Sequence, residues 1–176
     1  MTSPPIRSAA LALERTWYAI QTRYRFEKKV AAQLQGKSVE TFAPLRGEIH
    51  RWSDRQKIVP VPLFSGYVFV HLHTSLASRL TVLRTEGVIS FVNLHGAPIA
   101  IPGKQIADLQ QLLSQKVPCS LHAFLKVGQR VRIRGGCLDG LEGILEESRQ
   151  RTMVISLECI QRSVAIEIAG YELDLV

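Results

Sequence analysis

The stretch from Pro60 to Leu72, PVPLFSGYVFVHL, constrains the fold of this chain of 176 residues more than any other segment. Proline cannot donate to a sheet ladder, and Gly66 permits a close backbone approach, so a strand is expected to begin at Gly66. Alternation divides that strand into two faces, one with Tyr67, Phe69 and His71, the other with Val68, Val70 and Leu72. Both faces are largely apolar, which predicts a sheet that is covered at least in part on both sides.

The first half of the chain shows, in turn, the apolar spacing of amphipathic helices and the alternating pattern of strands. Apolar residues recur every four positions from Phe26 to Leu34 before Gly36, which predicts an amphipathic helix. A second helix is expected after a Thr74 or Ser75 cap, with Leu76, Leu80 and Leu83 on one face. Strands are predicted at 16–21, 38–43, 66–72 and 88–94. The order β-α-β-β-α-β predicts an α+β fold of the ferredoxin-like, split βαβ type.

A polar excursion separates the second and third predicted strands. Residues 45–61 carry alternating patterns that predict an extended β-hairpin inserted into the fold. The insertion holds His50, Trp52 and the cations Arg46, Arg51, Arg55 and Lys57. A basic ribbon with an aromatic side chain is typical of nucleic-acid binding. The alternative is a solvated loop that binds nothing.

The pattern changes after a third helix, which is expected to begin at Pro102 with Ile106, Leu109 and Leu113 on one stripe. Short strands are predicted at 130–134, 142–147, 153–158 and 164–168, with five glycines between 128 and 143. They indicate a small all-β barrel. We therefore expect a disordered tail at 1–15, an amino-terminal domain at 16–115, a linker at 116–123 and the barrel domain at 124–176.

The positive charge is confined to one part of the chain. Lys and Arg outnumber Asp and Glu by 14 to 7 in residues 1–115, whereas residues 116–176 hold 8 of each. A polyanionic partner is therefore plausible for the first part. The three widely spaced cysteines fit neither a disulfide framework nor a zinc site, and the apolar run 9–13 is too short for a signal peptide or a membrane span. We expect a monomeric cytoplasmic protein that binds no membrane.

The motifs together resemble the NusG family of transcription elongation factors. The resemblance rests on Trp17-Tyr18, on the helix start FEKKV at 26–30, on FSGYVFV at 64–70 and on the segment 128–145. It implies a NusG amino-terminal domain followed by an SH3-like KOW barrel. The segment Pro62-Leu63-Phe64 and residues 85–102 resemble the specialised RfaH-like branch of the family, which implies an operon-specific antitermination factor.

The resemblance also implies the partners. Family members bind the clamp helices of bacterial RNA polymerase through an apolar groove and suppress pausing. By resemblance, that groove would be formed or supported by Trp17, Tyr18, Phe64, Tyr67 and Phe91. Thr81 aligns with a polymerase contact on the opposite side of the cleft.

Two further contacts follow from the same resemblance. Non-template or upstream DNA would meet Arg23, Arg25, Lys28 and Lys29, with the ribbon cations Arg51, Arg55 and Lys57. A small-subunit ribosomal protein is a possible partner of the barrel. It would meet Leu138, Leu141, Cys159 and Ile160.

Two other classes of protein compete with this interpretation. An RNA-recognition module would use the aromatic strand 65–72 on the same ferredoxin-like fold, but it leaves the barrel unexplained. An enzyme would need His71 and His73 as metal ligands, but no Cys, Asp or Glu joins them at ligand spacing. We therefore expect no catalytic residues, no metal and no cofactor.

Overall fold

The structure is a computed structural model that describes residues 14–51, 55–73, 75–122, 124, 128–147 and 151–176. Residues 1–13 of the expected tail, Trp52 and Thr74 lie outside the described residues. The chain packs as two compact units. The first lies within Met1–Ala43 and Ser65–Gly103, and the second within Pro44–Phe64 and Lys104–Val176. The expected domain boundaries remain a prediction.

Fifteen strands, three α-helices and two short 3₁₀ helices (Gly136–Leu138 and Glu158–Ile160) follow one another along the described residues. The first part of the chain holds β1 (Arg15–Thr22), α1 (Glu27–Gly36), β2 (Glu40–Phe42), β3 (Leu45–Arg51), β4 (Gln56–Pro62), β5 (Tyr67–His73), α2 (Leu76–Leu83), β6 (Val88–Phe91), β7 (Asn93–Leu94), β8 (Ala97–Pro98) and β9 (Ala100–Ile101). The second part holds α3 (Gly103–Ser114), β10 (Cys119–His122), β11 (Gln129–Arg134), β12 (Glu142–Glu147), β13 (Arg151–Leu157), β14 (Arg162–Glu167) and β15 (Glu172–Leu175).

The first unit is built on an antiparallel sheet in the order β2-β5-β1-β6, with β9 also paired to β1. Helix α1 follows β1 and helix α2 follows β5. This arrangement is the ferredoxin-like split βαβ fold, so the predicted fold class is confirmed. The predicted strand at 88–94 divides into β6 and β7, because the chain turns back after Leu94 and pairs β7 with β8.

One face of that sheet forms the core of the first unit. Residues Ile20 of β1 and Val68 and Val70 of β5 are buried with Val30 and Leu34 of α1. The antiparallel pairing places Tyr18 opposite Val70 and Ile20 opposite Val68. As expected, apolar strand residues two positions apart pack against helix residues that recur every four positions.

The buried face of α2 differs from the predicted one. Leu76 is 71% exposed and Leu83 is also exposed, whereas Val82 is fully buried. The predicted leucine face of α2 was wrong. The helix packs through Val82, and Leu76 and Leu83 at the two ends of the predicted stripe are exposed to solvent. Ser75 caps the helix as expected, with its hydroxyl oxygen accepting the Ser78 backbone N–H at 3.1 Å.

The second unit contains the predicted β-hairpin insertion. Strands β3 and β4 pair in register from Leu45 with Pro62 to Arg51 with Gln56. Helix α3 buries Ile106, Leu109 and Leu112, and Leu113 is only half-buried. The stripe of α3 thus runs through Leu112 instead of the predicted Leu113.

The rest of the second unit is an antiparallel sheet in the order β10-β14-β13-β12-β11-β15. Strands β11 to β14 correspond to the four predicted strands, which confirms the small all-β module. Two strands were not predicted. Strand β10 lies in the segment expected as a linker and pairs with β14, and β15 pairs with β11. Both are only four residues long, too short to show a clear alternation.

A glycine next to α1 provides a test of the packing in the first unit. Gly87 has a φ of +94°, and a Cβ there would lie 2.6 Å from Cδ1 of Phe26 and 3.1 Å from Cγ2 of Val30. We expect Gly87→Ala to lower the free energy of unfolding by about 2–4 kcal/mol, through backbone strain and overpacking together. Urea unfolding followed by Trp17 fluorescence, in a Trp52→Phe background, measures this.

Gly96 is the matched control. Its φ is +82°, but no atom lies within 4 Å of the Cβ position. Gly96→Ala should therefore cost only the left-handed backbone strain, about 1–2 kcal/mol. Equal losses in the two variants would contradict the packing of Phe26 and Val30 against Gly87.

Candidate nucleic-acid and partner surfaces

Two of the aromatic residues expected at the polymerase groove lie in the core of the first unit. Tyr18 and Phe91 belong to the buried cluster on the helix-covered face. Their rings meet edge to face, with centroids 6.2 Å apart. Both residues can support a groove from beneath but present almost no surface of their own. Their role in polymerase binding stays a prediction.

Trp17 points to the opposite face of the sheet. Its ring stacks on that of His71, with the centroids 4.7 Å apart and the planes 9° from parallel. His71 Nδ1 lies 2.7 Å from Oε2 of Glu40 on the neighbouring strand. The indole is therefore held on one side by a hydrogen-bonded imidazole. Trp17 is 8% exposed, so only a small part of it reaches the surface.

That exposed part opens on a groove of about 600 Å³ in the first unit, which we call the Trp17 groove. Besides Trp17 and His71, its walls are formed by Arg15, Thr16 and residues 100–103. The lining combines an aromatic pair with the apolar side chains of Ile101 and Pro102. Grooves of this kind commonly receive an apolar side chain of a partner helix.

The remaining three residues of the expected polymerase set lie apart from the Trp17 groove. Phe64 is 2% exposed, and Tyr67 is half-buried opposite Gln21 in the β1–β5 ladder. Thr81 is half-buried on α2, where its hydroxyl donates to the carbonyl oxygen of Ala77 at 3.0 Å. The structure thus brings Trp17 to a groove and leaves the other expected residues in the core or elsewhere on the surface.

The loop from β1 to α1 is attached at its start by backbone hydrogen bonds and at its end by the Glu27 side chain. The Thr22 and Arg23 N–H groups donate to the carbonyl oxygens of Gly66 and Gly87, each at 2.8 Å. Glu27, which is buried, accepts the Gly66 N–H at 2.7 Å. The loop is therefore attached both to the start of β5 and to the turn before β6.

The cations expected to meet DNA are displayed around this loop. Arg23, Arg25 and Lys28 are exposed. The ammonium group of Lys29 lies 3.0 Å from a Glu86 carboxylate oxygen and over the Phe26 ring. Lys29 is thus paired with a carboxylate of the same unit.

The sequence prediction missed Tyr24, which lies between two of these cations. It is 68% exposed, and Cζ of Arg25 lies 5.3 Å from the centroid of its ring. The signal was present in the sequence as Arg-Tyr-Arg at 23–25. The exposure of Tyr24 could not be predicted from that motif, because a single aromatic outside any periodic pattern carries no information on burial.

The inserted ribbon exposes the expected cations together with an apolar pair. Arg51, Arg55 and Lys57 are exposed. Ile49 and Ile58 lie directly opposite each other and are also exposed. Both isoleucines line a groove of about 600 Å³ in the second unit, together with Leu113 and Val117. The ribbon therefore offers both charge and apolar surface.

The residues expected to contact a partner of the barrel are mostly buried. Leu138 and Leu141 are fully buried and Ile160 is nearly so. Cys159 is half-buried, and burial raises the pKa of its thiol to about 11. A partner could reach the two leucines only if they became exposed. Their role in binding stays a prediction.

Helix α3 holds the turn that carries Leu138. The side-chain amide of Gln111 donates to the carbonyl oxygens of Cys137 and Asp139 at 3.1 and 3.2 Å. Lys104 donates to the Gly140 carbonyl oxygen at 3.1 Å and pairs with Asp108 at 3.0 Å. Burial raises the pKa of the Asp108 carboxyl, even though the bond to Lys104 opposes that shift.

The described part of the chain holds neither a metal-binding cluster nor a helix that could span a membrane. Among the described residues, no group of three or more His, Cys, Asp or Glu side chains is placed to hold a metal ion. In the same part of the chain, every helix is too short or too polar to cross a bilayer.

The described residues thus combine a ferredoxin-like sheet, an inserted ribbon and a small antiparallel β module. The family model described as transcription termination factor nusG matches residues 15–110, which is more than half of the chain. The chain belongs to the NusG family.

Known members of the family match about three quarters of the chain or more. The transcription termination/antitermination protein NusG of Borreliella burgdorferi is 22% identical, over 89% of this chain and 96% of the relative. The protein of the same name from Chlamydia trachomatis is 29% identical, over 74% and 77%. A solved structure described as "Domain interaction in Thermotoga maritima NusG" matches with a TM-score of 0.55 and 22% identity, over 92% and 98% of the two chains. The structural likeness supports the fold, and the family supports a role in transcription.

The cysteines allow a test of burial in the second unit. Cys137 is exposed, whereas Cys119 and Cys159 are half-buried, and burial raises the pKa of both half-buried thiols. The thiolate is the reactive form, so at pH ~8 Cys159 should react with N-ethylmaleimide at least about tenfold more slowly than Cys137. Its rate should rise with pH until the thiol ionises near a pKa of about 11. Mass spectrometry of the native protein over time follows each site.

Labelling in urea is the control, because unfolding should bring the rates of Cys137 and Cys159 together. Equal rates in the native protein would contradict the described burial of Cys159.

Proposed function

We propose that this NusG-family protein is a bacterial elongation and antitermination factor that binds the clamp helices of RNA polymerase and suppresses pausing or termination. The observation that carries the proposal is the family match over residues 15–110, which spans the sheet, the ribbon and both basic surfaces. Relatives named as termination/antitermination proteins support the same role. Because the polymerase is cytoplasmic in bacteria, the proposal places the protein in the cytoplasm.

The Trp17 groove supports the contact with a helix of the polymerase. It combines a stacked Trp17–His71 pair with an apolar wall at Ile101 and Pro102. An amphipathic helix could place one or two apolar side chains there, and contacts with buried aromatics carry much of the energy of such interfaces. Tyr18, beneath the sheet on the core side, would hold β1 in place. Tyr67 and Thr81 remain proposed polymerase contacts outside the Trp17 groove.

The charge distribution supports a contact with DNA in the elongation complex. The exposed Arg23 and Arg25 lie on one loop, Lys28 lies in the first turn of α1, and Arg51 and Lys57 lie on the ribbon. Contacts between such cations and phosphates release counterions, which favours association without requiring a particular sequence. We therefore propose that these residues approach non-template or upstream DNA.

The proposed mechanism requires no bond chemistry. A factor that binds the elongating state of the polymerase more tightly than the paused state shifts the population toward elongation. The size of the shift is limited by the difference between the two affinities. Binding to two parts of the complex at once, the clamp and the DNA, would provide such a difference.

Two finer assignments belong to this proposal. The segments Pro62-Leu63-Phe64 and 85–102 support an RfaH-like, operon-specific member of the family. A small-subunit ribosomal protein is the proposed partner of Leu138, Leu141, Cys159 and Ile160, after these side chains become accessible.

The competing RNA-recognition function finds less support. RNA-recognition modules stack bases on exposed aromatic residues of the sheet. Here Phe69 is fully buried and Trp17 is nearly so. The sheet therefore lacks an open aromatic platform at these two positions, which favours polymerase binding over this alternative.

Binding to a nucleic-acid-free bacterial core polymerase tests the Trp17 groove. Phe64 is too deeply buried for a charged substitution to be informative, so we choose Ala100, which is exposed at the groove. Ala100→Arg places a long charged side chain where an apolar one should dock. We expect at least about tenfold weaker binding, equivalent to about 1.4 kcal/mol. Co-migration at increasing protein concentration measures the affinity.

Ala97→Arg is the matched control. Ala97 is an exposed alanine on a short strand of the same unit, outside the lining of the Trp17 groove. This variant should bind within about twofold of the unmodified protein, as is usual for exposed positions away from an interface. Undiminished binding of Ala100→Arg would show that the groove is not the polymerase site, and failure of the unmodified protein to bind would refute the proposed function.

A further inference from the structure

Tyr24 is an aromatic side chain that the fold does not use. Of the large apolar side chains that are exposed in the described part of the chain, only that of Tyr24 is aromatic. The neighbouring Phe26, by contrast, packs against the core cluster. Exposing most of an aromatic ring to water forgoes the stabilisation that its burial would give. A single exposed apolar residue needs no explanation, but the surroundings of Tyr24 are unusual.

The turn that carries Tyr24 is held rigidly. Arg23 donates its N–H to the Gly87 carbonyl oxygen at 2.8 Å, and its own carbonyl oxygen accepts the Phe26 N–H at 3.1 Å. Arg25, between them, has a φ of +66°, a left-handed conformation that residues with a side chain seldom adopt. Tyr24 therefore projects from a turn whose backbone is fixed on both sides.

A positive charge lies next to the ring. The Arg25 guanidinium carbon lies 5.3 Å from the ring centroid, in the geometry of a cation–π contact. Arg23 and Lys28 are exposed on the same loop and the first turn of α1. The nearby carboxylate of Glu86 is already paired with Lys29, and that of Glu27 is buried on the Gly66 N–H. The surface around Tyr24 thus favours an anionic ligand.

We propose that Tyr24 is a stacking platform for an unpaired base of single-stranded nucleic acid, with Arg23 and Arg25 binding the flanking phosphates. An exposed aromatic ring beside cations matches the chemistry of single-strand binding, since every base has a face that can stack and every nucleotide carries a phosphate. In a duplex, each base is already stacked on its neighbours, so the platform selects unpaired strands.

This inference rests on the proposed DNA contact of the same loop and deepens it. Cations alone bind single and double strands by their phosphates. Tyr24 adds a contact that only an unpaired base can make. The loop would therefore prefer the open strand of a transcription bubble to the duplex on either side of it.

The test compares the binding of two fluorescent probes by the full chain at low salt. One probe is an oligothymidine of about 12 nucleotides, and the other is a duplex of the same length. We expect Tyr24→Ala to weaken binding to the single strand about tenfold and to leave the duplex within about twofold. Tyr24→Phe keeps the ring and should bind as the unmodified protein does.

Two further variants separate stacking from charge and from bulk. Arg25→Gln should weaken binding to both probes, because it removes a phosphate contact. Tyr24→Leu keeps apolar bulk without an aromatic face and should behave like Tyr24→Ala. Unchanged binding of Tyr24→Ala to the single strand, an equal loss on the duplex, or no binding of the unmodified protein to the single strand would each overturn the inference.

Polymerase binding distinguishes this inference from the proposed function. Tyr24→Ala should bind the nucleic-acid-free core polymerase as tightly as the unmodified protein. A loss there would mean that Tyr24 contacts protein, which would overturn the stacking platform and leave the proposed function intact. If the unmodified protein binds single strands through Tyr24 but does not bind polymerase, the proposed function fails and the platform stands.

Discussion

The pairing of β1 with β5 is the constraint on which the first unit depends. Seven antiparallel residue pairs join the two strands, from Arg15 with His73 to Gln21 with Tyr67. The register sends Tyr18, Ile20, Val68 and Val70 to the helix-covered core and Trp17 and His71 to the other face. A slip of one strand by one residue would exchange its two faces and would place a residue such as His71, with its carboxylate partner, in the helix-covered core.

The same register positions both candidate surfaces. At one end of β1, the cross-strand pair of Trp17 and His71 stacks and lines the Trp17 groove. At the other end, the backbone of Thr22 bonds to Gly66 at the start of β5, and the buried Glu27 closes the same junction. The loop with Tyr24 begins there. A proposed protein contact and a proposed nucleic-acid contact are thus attached to opposite ends of one strand.

The fold could be predicted from the sequence wherever the signal was local and periodic. The alternation of β5 and the four-residue period of α1 gave the correct elements, and the motif order gave the correct fold class. The choice of Leu76 and Leu83 on α2 failed because the helix has only eight residues and buries Val82, and packing decides which side of so short a helix faces the core. Strands β10 and β15 were missed because each is defined by its partner strand.

The candidate site was less predictable than the fold. The resemblance pointed to aromatic residues of the first unit and its neighbouring segment, but residue type alone does not tell which face of a strand is covered by other residues. Tyr18 and Phe91 therefore lie in the core, while Trp17, one residue from Tyr18, reaches a groove. Tyr24, the proposed stacking platform, was missed because the sequence does not show that its side chain is left exposed beside cations. Both distinctions depend on tertiary structure.

The most direct test of the account is the lifetime of a paused bacterial elongation complex, measured in single-round transcription with and without the full protein. The account predicts that saturating protein shortens the pause and increases read-through, because binding favours the elongating state. An unchanged or lengthened pause, under conditions in which the protein is bound to the complex, would contradict it.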